Sequence, residues 1–411
     1  MKLLILSQYF PPETGAPQNR LYELAVRLKK LGVDVTVLTA MPNYPKMEIF
    51  EEYQGKNYHF EEIDGIPVHR TKIFVSKKKS IFHRLLNYFS FTISSYLNGR
   101  TLDNFDFILC NSPPLFLGYT AIALSKKLNA KLIFNVSDLW PESAEKLGIV
   151  TNKHLLKLAY NLEEKCYQTA CLVAGQTQGI VKDISDRFPN KDVYWLPNGA
   201  NLTDLNPSKI KNTGAFRKKY NIAPDDLVFF YGGILGHAQG LDLIIRAATQ
   251  TNNERVKFVI LGDGPLSQEL KQLRNELNAD NVVFAEPVSK QEIPAIISEI
   301  DISLVPLKNL PLFKGAIPSK IFEILAMEKP ILLGVDGEAR ELFIEQANAG
   351  WYFEPENLSD LVNKIEYISC NIDEIYKKGI SGRKYVAENF DRQRIAENFL
   401  NKIKAYLNDA L

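Results

Sequence analysis

Residues 1–40 read MKLLILSQYFPPETGAPQNRLYELAVRLKKLGVDVTVLTA, and the order of their apolar runs indicates the class of fold. Lys2–Ser7 and Val33–Thr39 are short apolar runs, and Pro17–Lys30 between them has the periodicity of an amphipathic helix. Strands that are apolar on both faces and separated by helices are typical of a parallel sheet covered on both sides. The chain therefore begins with a predicted strand–helix–strand unit.

The same alternation continues along the chain with one interruption. Tyr58–Ile63 and Pro67–Ile73 flank Asp64-Gly65, a dipeptide typical of a hairpin turn. A polar, turn-rich segment from Pro197 to about Pro224 then separates a first series of strands from a second. Further strands are predicted at Phe105–Asn111, Lys131–Val136, Leu172–Ala174 and Val193–Leu196 in the first series, and at Leu227–Tyr231, Lys257–Leu261, Val282–Ala285, Ile302–Val305, Ile331–Val335 and Trp351–Phe353 in the second.

These two series predict two doubly wound, Rossmann-like α/β domains, residues 1–199 and residues 200–390, that face a cleft. Ligands of such sheets bind beyond the carboxyl ends of the strands, so we expect a site in the loops that follow strands. A helix is predicted over about residues 391–411. The sequence leaves open whether this helix packs back on the first domain or lies across the second.

The composition excludes several classes of protein. The 411 residues carry 49 Lys and Arg against 48 Asp and Glu, so the net charge of +1 predicts no binding to nucleic acid. Four cysteines show neither a CxxC pair nor a spacing suited to zinc, and no apolar run approaches the roughly 18 residues of a membrane span. The first apolar run is too short for a signal peptide and lacks a cleavage site, so we expect a cytoplasmic protein.

Three loops that follow predicted strands are candidates for binding an anion. Ser7–Arg20 opens a helix, Gly232–Gly240 contains four glycines, and Gly262–Pro265 is a tight turn. Glycine allows the backbone to approach a ligand closely, although the spacing matches neither a P-loop nor GxGxxG and a structural role is the alternative for each loop. The candidate ligand-binding residues are Gly15 and Arg20 in the first loop, Gly233, His237 and Gln239 in the second, and Gly262 and Gly264 in the third.

The segment Pro318-Ser319-Lys320-Ile321-Phe322-Glu323 begins another amphipathic helix. A lysine near a helix N-terminus opposes the helix dipole, a cost that is easier to understand if an anion binds there. We expect Ser319 and Lys320 to hold a diphosphate and Glu323, one turn further on, to accept hydrogen bonds from vicinal hydroxyls such as those of a ribose. The alternative is a surface lysine followed by an ordinary helical glutamate.

Carboxylates after two other strands are weaker candidates. Asp138 follows the strand Lys131–Val136, where it suits either acid–base chemistry and sugar binding or the capping of a turn. Asp336-Gly337-Glu338 resembles a metal-binding DxE motif, but we expect Glu338 to lie in the first turn of a helix. We therefore predict that no metal ion is required.

Residues 74–99 combine basic and aromatic side chains. Between residues 65 and 102 there are seven Lys and Arg and no Asp or Glu. Basic clusters beside aromatics suit an anionic membrane surface, and we expect residues 74–99 to make that contact. The alternative is that the aromatics belong to the core and the lysines to a solvated face. The basic residues expected to contact the membrane and the acceptor are Lys77, Lys78, Lys79 and Arg84.

Together these motifs resemble glycosyltransferase family 4, the retaining enzymes of GT-B fold. The resemblance covers essentially the whole chain, in the order Pro11–Arg20, Asp138–Ser143, Pro197–Gly199, Gly232–Gly240, Gly262–Pro265 and Pro318–Glu323. Within the family the chain looks most similar to the bacterial branch of O-antigen and capsule assembly, which includes N-acetyl-L-fucosaminyl transferases.

The resemblance implies a role for several residues. Glu323 matches the second glutamate of the family's Glu-x7-Glu motif, implied to bind ribose, and Gly315 stands at the position of the first. Gly233 and Gln239 occupy the positions where many members carry an Arg and a Lys that bind phosphate. Asp138 falls where many relatives have a histidine near the anomeric centre. Asp138 and Lys320 are therefore the catalytic candidates, with Lys320, Arg20 and backbone amides in place of the usual phosphate clamp.

The predicted function is transfer of a sugar, N-acetylated or deoxy in the branch it resembles, from a nucleotide diphosphate donor that we expect to be UDP-linked. The implied acceptor is a saccharide on a polyprenyl diphosphate at the inner face of the cell membrane, with no cofactor. Two alternatives compete. A nucleotide-sugar 2-epimerase shares the two-domain fold, but the basic and aromatic stretch argues against it. A two-domain solute-binding protein would need export, which the absence of a predicted signal peptide argues against.

Overall fold

The computed structural model describes residues 1–78, 80–146 and 148–408, so the predicted contribution of Lys79 lies outside the described residues. The chain divides into two compact units. The N-terminal unit comprises Met1–Pro197 together with the segment that starts at Arg392, and the C-terminal unit comprises Asn198–Asp391. Both are α/β units, which confirms the predicted class of fold.

The N-terminal unit contains an eight-stranded sheet. Its strands are β1 (Lys2–Leu6), β2 (Asp34–Ala40), β3 (Tyr58–Ile63), β4 (Ile66–Thr71), β5 (Phe107–Ser112), β6 (Lys131–Val136), β7 (Leu172–Gly175) and β8 (Val193–Trp195). They lie in the order β3-β4-β2-β1-β5-β6-β7-β8, and only β3 runs antiparallel to its neighbour. The order reverses between β1 and β5, which is the point where such sheets leave a crevice for a ligand.

The predicted hairpin joins β3 to β4. Asp64 and Gly65 have φ angles of 48° and 72°, so both residues adopt the left-handed conformation that a two-residue hairpin turn requires. The observed register places Ile63 opposite Ile66 across this turn. The hairpin therefore adds one antiparallel edge strand to an otherwise parallel sheet.

Helices cover both faces of this sheet. They are α1 (Ala16–Lys30), α2 (Ile81–Gly99), α3 (Leu117–Lys127), α4 (Glu142–Lys146), α5 (Lys153–Thr169) and α6 (Gln178–Arg187), with a 3₁₀ turn at Glu51–Tyr53. One core contains Phe91 of α2, Leu124 of α3 and Leu162 of α5, while a second core contains Leu21 and Leu24 of α1. Strands that are buried on both faces explain the continuous apolar runs in the sequence.

The C-terminal unit contains a six-stranded, fully parallel sheet. Its strands are β9 (Leu227–Gly232), β10 (Val256–Leu261), β11 (Val282–Ala285), β12 (Ile302–Pro306), β13 (Ile331–Gly334) and β14 (Gly350–Tyr352). The order β11-β10-β9-β12-β13-β14 is the Rossmann order, so the chain reverses its direction of addition between β9 and β12. The loops after β9 and β12 consequently meet at the switch point of this sheet.

Short helices surround this second sheet. They are α7 (Ala215–Lys219), α8 (Asp242–Ala248), α9 (Ser267–Glu276), α10 (Ile293–Ser298), α11 (Lys320–Ala326), α12 (Glu338–Arg340), α13 (Leu358–Cys370) and α14 (Ile372–Asn389). Single 3₁₀ turns lie at His237–Gln239 and Pro311–Gly315, and a π-helical turn lies at Glu341–Gln346. Phe229, Phe258 and Leu332 of the strands form the centre of the core.

The last helix, α15 (Arg392–Asn408), returns to the N-terminal unit. Phe399 and Ile403 are fully buried in the core that α1 also lines. Lys402 Nζ lies 2.6 Å from a carboxylate oxygen of Asp192, just before β8. The end of the chain thus completes the unit with which the chain begins.

Candidate functional site

The switch point of the C-terminal unit holds a lysine with no charged partner. Lys320 begins α11, and its Nζ lies 3.7 Å from the centroid of the Tyr231 ring near the end of β9. The Tyr231 hydroxyl donates a 2.7 Å hydrogen bond to the carbonyl of Ile234, which holds the ring against the loop that follows β9. Within the described ranges 1–78, 80–146 and 148–408, no carboxylate forms an ion pair with Lys320.

Burial has a direct electrostatic consequence for Lys320. It lowers the pKa of the ammonium from its ordinary value near 10.5 to about 7, because the charged form loses water without gaining a counter-ion. The face of the Tyr231 ring offers only a partial substitute through a cation–π contact. An anion at this point would supply the missing charge, so the arrangement is suited to bind a phosphate.

Glycines build the loops around Lys320 by packing against each other. A Cβ on Gly262, where φ is 141°, would lie 1.9 Å from the carbonyl oxygen of Gly233, and a Cβ on Gly264 would lie 2.5 Å from that of Leu235. A Cβ on Gly233 would lie 3.0 Å from Lys320 Nζ. We predicted Gly262 and Gly264 as donor-binding residues, but their lack of a side chain is accounted for by the contact between the two loops.

The other predicted donor residues lie nearby in sequence but are less constrained. His237 is exposed on its 3₁₀ turn, and Gln239 is half-buried in the same turn. Ser319 precedes α11 and caps it with no side-chain hydrogen bond. Glu323 is half-buried one turn after Lys320, and in the part of the chain that the structure describes its carboxylate has no hydrogen-bond or ion-pair partner. Lys320 and Glu323 are thus both available to a ligand.

Gly315 and the DxE-like segment lie on the same side of this sheet, after β12 and β13. No atom lies within 4 Å of the place where a Cβ on Gly315 would stand, so a larger residue would fit. Asp336 pairs with Arg340 and Lys314 at 3.5 and 3.6 Å, and Glu338 lies in the first turn of α12 as predicted. Among the residues described, no three or more His, Cys, Asp and Glu side chains are grouped to hold a metal ion.

In the N-terminal unit the structure corrects the prediction for Arg20. Its guanidinium donates to the side chains of Ser137 at 3.1 Å, Gln176 at 3.0 Å and Asn135 at 3.0 Å, and to the Leu196 carbonyl at 3.2 Å. These bonds use all four N–H groups of the two terminal nitrogens and leave only the Nε–H group for any other partner. Arg20 instead ties together the carboxyl ends of β6, β7 and β8.

Asp138 lies directly beyond this network. Its carboxylate accepts a 2.6 Å hydrogen bond from the Ser143 hydroxyl at the start of α4, which holds the loop after β6 in place. Asp138 is half-buried, and its neighbour Ser137 is bonded to Arg20. This bond joins two side chains and caps no backbone N–H group, and the half-buried carboxylate stays partly accessible.

The loop after β1 contains a carboxylate that the sequence did not identify. Glu13 is almost fully buried and accepts hydrogen bonds from the backbone N–H groups of Asn43 at 2.8 Å, Tyr44 at 2.9 Å and Phe10 at 3.3 Å. Burial nevertheless raises its pKa above the ordinary value. Glu13 thereby links this loop to the one after β2, and only its buried surroundings distinguish it from a surface glutamate. Gly15, predicted to contact a ligand, caps α1 with extended backbone beside Gln18.

Helix α2 carries a row of apolar side chains on its exposed side. Phe82 is 66% exposed and Ile93 is 60% exposed, and with Leu86, Phe89 and Leu97 they form one stripe along the helix. The inner face instead contains polar residues: Asn87 bonds to Gln8 at 2.8 Å, and Ser95 bonds to Thr120 at 3.4 Å. Phe91 alone of the predicted aromatics is fully buried. We define the stripe of Phe82, Leu86, Phe89, Ile93 and Leu97 as the outer face of α2.

Basic residues lie at the start of this helix. Lys77, Lys78 and Arg84 are exposed, and Lys77 Nζ lies 2.6 Å from a carboxylate oxygen of Glu48 on the surface. Ser80 caps the helix by accepting from the His83 backbone N–H. Over residues 1–78, 80–146 and 148–408, no helix combines the length and apolar character needed to cross a membrane.

A cavity of about 980 Å³ lies next to these basic residues within the N-terminal unit. Pro12 of the loop after β1 forms one wall, Val75–Lys77 form another, and the segment from Pro45 to Gln54 lines the rest. The lining combines apolar groups such as Phe50 with the carboxylates of Glu48, Glu51 and Glu52. Carboxylates and apolar surface together suit a ligand with hydroxyl groups and C–H faces.

Two family models match the chain. The model described as a glycosyl transferase 4-like domain matches residues 15–199, and the model described as glycosyl transferases group 1 matches residues 212–378. WcaI of Escherichia coli, named as a colanic acid biosynthesis glycosyl transferase, is 24% identical over 98% of this chain and 100% of its own. The O-antigen chain mannosyltransferase C of Escherichia coli is 19% identical over 97% of this chain and 96% of its own.

Solved structures of the same fold cover the whole chain. Sucrose-phosphate synthase from Thermosynechococcus elongatus superposes with a TM-score of 0.77 at 15% identity, over 100% of both chains. Anabaena Alr3699/HepE, solved in complex with UDP and glucose, superposes with a TM-score of 0.73 at 16% identity, over 98% of this chain and 100% of its own. These likenesses show the fold, and the family models and full-length relatives show the activity class. The chain therefore belongs to the glycosyltransferases of GT-B fold, with a glycosyl transferase 4-like domain followed by a glycosyl transferases group 1 domain.

Proposed function

We propose that this glycosyltransferase moves a sugar from a nucleotide diphosphate donor to a saccharide carried on a polyprenyl diphosphate, at the inner face of the cell membrane. The names of its relatives support a place in surface polysaccharide assembly, since they refer to colanic acid and to O-antigen chains. Because the chain resembles the branch that includes the N-acetyl-L-fucosaminyl transferases, we propose an N-acetylated or deoxy sugar as the one transferred. The C-terminal unit binds the donor and the N-terminal unit binds the acceptor.

The observation that carries the proposal is the outer face of α2. A helix at the surface of a water-soluble unit ordinarily turns its apolar side inward, and here the inward side is mostly polar apart from Phe91. An exposed apolar stripe is stable beside a bilayer, where the side chains enter the boundary between headgroups and acyl chains. Lys77, Lys78 and Arg84 at the start of the helix add attraction to anionic headgroups. An acceptor anchored in that bilayer explains both features.

We propose that the donor diphosphate binds against Lys320. The ammonium has no counter-ion and rests on the Tyr231 ring, so a phosphate oxygen would supply a charge-assisted hydrogen bond where none exists in the free protein. Glu323, one turn further along α11, is free to accept from the ribose hydroxyls. We propose UDP as the nucleotide of the donor, because the chain resembles glycosyltransferase family 4.

The proposed reaction proceeds with retention of the anomeric configuration and without a metal ion. The bond between the anomeric carbon and the diphosphate oxygen breaks, and a bond forms between that carbon and the acceptor oxygen. The acceptor hydroxyl proton passes to the departing phosphate oxygen, whose developing charge Lys320 stabilises. Asp138 either orients the acceptor hydroxyl or stabilises positive charge at the anomeric carbon. Activity that is abolished by a chelator, or an inverted linkage in the product, would contradict this scheme.

We propose that the acceptor saccharide binds in the cavity beside Pro12. Glu48, Glu51 and Glu52 offer acceptors for sugar hydroxyls, and Phe50 offers a face for sugar C–H groups. Residues 75–77 form one wall of this cavity and lead directly to the basic start of α2. A saccharide in the cavity would therefore lie close to a diphosphate at the headgroup level.

A nucleotide-sugar 2-epimerase is the alternative function. Such an isomerase acts on a free donor, so it gives no reason for an apolar face turned outward. The deciding experiment is incubation of the purified protein with a panel of nucleotide sugars and polyprenyl-diphosphate-linked saccharides. Transfer of sugar to the lipid-linked acceptor is the expected result. An epimerised free donor without transfer to any acceptor would overturn the proposal.

A further inference from the structure

The C-terminal unit also has an apolar stripe that no other part of this unit covers. Tyr376 of α14 is 72% exposed, Ile380 is 60% exposed and Ile372 is 53% exposed. Residues four apart lie on one side of a helix, so these three side chains form a continuous row, which we call the α14 stripe. Tyr367 at the end of α13 is exposed beside it and donates a hydrogen bond to Glu374 of α14.

The other side of α14 already accounts for its packing on the unit. Ile375, Gly379, Gly382 and Val386 are buried, and Gly379 and Gly382 approach the backbone of Glu328 and the side chain of Leu325 closely. The helix therefore needs no apolar residue on its second side in order to fold. Four of the six exposed large apolar residues in residues 198–391, a segment that is described throughout, belong to α13 and α14. A cluster of this kind marks a surface for a partner.

The charges along α14 indicate which partner fits. Asp373 and Lys384 are both exposed, and neither side chain has a partner within its own unit. They are eleven residues apart, which is three turns of helix and about 16 Å, so they lie on the same edge of the stripe at its two ends. The acidic end and the basic end are complementary to each other, whereas Lys377, exposed on the same edge between them, has no opposite charge to face. They match a second copy of the same helix that runs in the opposite direction.

We propose that the α14 stripe is the interface of a two-fold symmetric dimer of this chain, with the two α14 helices antiparallel. A two-fold axis near residue 378 places Asp373 of each copy opposite Lys384 of the other, on the same edge of both helices. The midpoint between Tyr376 and Ile380 falls within one residue of that axis, so the same arrangement packs Tyr376 of one copy against Ile380 of the other. A parallel two-fold pairing would instead place the two Asp373 residues on opposite edges of the interface, where neither lies opposite a Lys384.

One helix pair buries less surface than the interface of a stable obligate dimer. We therefore expect a reversible dimer with a dissociation constant in the micromolar range or weaker, held mainly by apolar contact. The exposed ion pairs contribute less to affinity and more to the choice of the antiparallel direction. This inference concerns assembly and is independent of the donor and the acceptor.

The test is sedimentation equilibrium of the full chain across the micromolar range, without detergent or lipid. The wild type is expected to pass from monomer to dimer as concentration rises. The double variant Tyr376→Ser and Ile380→Ser is expected to weaken the dimer by about 100-fold or more, because each copy loses two apolar side chains from the interface. Phe82→Ser with Ile93→Ser on the outer face of α2 is the matched control, which should leave the dimer unchanged.

Exchanging the two charges distinguishes the proposed antiparallel dimer from nonspecific association. Asp373→Lys alone and Lys384→Asp alone should each weaken the dimer by about 10-fold, since each creates two like-charge contacts. The combined variant restores both opposite pairs and should recover the wild-type dissociation constant. A chain that stays monomeric throughout overturns the proposal. A dimer that responds to the α2 control, or a combined variant that is as weak as the two single variants, also overturns it.

Discussion

At the scale of single residues, Lys320 is the side chain whose surroundings most need a ligand. It begins a helix, where the dipole disfavours a cation, and it is half-buried without a counter-ion. Both effects destabilise the charged form in the free protein. A diphosphate bound at this position would stabilise the charged form of Lys320 against both effects.

We predict that Lys320→Ala weakens binding of UDP by about 10- to 100-fold, because one charge-assisted hydrogen bond contributes roughly 1.5–3 kcal/mol. Isothermal titration calorimetry measures the affinity. Lys257→Ala at the opposite end of β10 is the control and should bind UDP like the wild type. Glu323→Ala should instead abolish the preference for UDP over its 2′-deoxy analogue. Unchanged affinity in both variants would contradict the placement of the donor.

The pH dependence of binding follows from the same lysine. Its pKa is about 7 in the free protein and rises when a phosphate binds, so affinity is greatest below pH 7 and falls by up to about tenfold per pH unit above it. UDP is fully ionised in this range, since the second pKa of a phosphate is about 6. Titrations between pH 7 and 9 check this, and binding should take up a proton. Lys320→Arg keeps its charge and should remove the dependence.

Substitutions of Gly262 and Gly315 test whether a glycine is needed for packing between loops or for contact with the donor. Gly262→Ala would place a Cβ against the Gly233 carbonyl, and we expect it to lower the free energy of unfolding by about 1–3 kcal/mol. Gly315→Ala has open space and should change it by less than about 0.5 kcal/mol. Urea denaturation measures both. If Gly262→Ala leaves stability intact and weakens UDP binding alone, Gly262 contacts the donor as first predicted.

At the scale of elements, α2 shows why a sequence pattern can predict an amphipathic helix without predicting its orientation. Its sequence has aromatic and aliphatic residues on more than one side, so either side is a candidate for the core. Two hydrogen bonds fix the orientation, one donated by the Gln8 amide to the Asn87 side-chain oxygen and one donated by the Ser95 hydroxyl to Thr120, because Asn87 and Ser95 reach these partners only when they face inward.

We predict that changing Lys77, Lys78, Lys79 and Arg84 to Glu lowers binding to anionic vesicles by about a thousandfold or more, at about 1 kcal/mol for each charge near the surface. Co-sedimentation with vesicles measures the binding. Moderate salt should also weaken it, because exposed charges are screened within about 8 Å at physiological ionic strength. Phe82→Ser with Ile93→Ser should remove the part that resists salt.

The control for this experiment carries the same change of charge elsewhere. Lys209, Lys211, Lys218 and Lys271 are exposed in the C-terminal unit, and changing these four to Glu should leave vesicle binding nearly unchanged. If the two sets of variants bind anionic vesicles equally, the basic residues before α2 are only a solvated face.

At the scale of the whole molecule, the N-terminal unit depends on the last helix of the chain. Phe399 of α15 is fully buried in the core beside Leu21 and Leu24 of α1. We predict that Phe399→Ala lowers the stability of the N-terminal unit by about 3–5 kcal/mol. Hydrogen exchange should show lower protection in residues 1–197 and no change in residues 198–391. Lys404→Ala, exposed on the same helix, should alter neither, and equal loss in both units would contradict the prediction.

The fold was predictable because its signals are local. Apolar runs of strand length, helical periodicity between them and the Asp64-Gly65 turn each depend on a few neighbouring residues. Their repetition predicts two parallel sheets, and the two observed strand orders agree with that prediction. The position of Lys320 at the start of a helix that follows a strand could be predicted from the same local signals.

The tertiary structure alone decided the partners of side chains that lie far apart in the sequence. Arg20 looked available for a ligand, yet its four hydrogen bonds go to residues 115 to 176 positions later in the chain. The ring beneath Lys320 comes from Tyr231, and the carboxylate of Glu13 is buried by loops from another strand. A local pattern sets the conformation of a segment, but burial and hydrogen bonding are settled only when distant segments pack together.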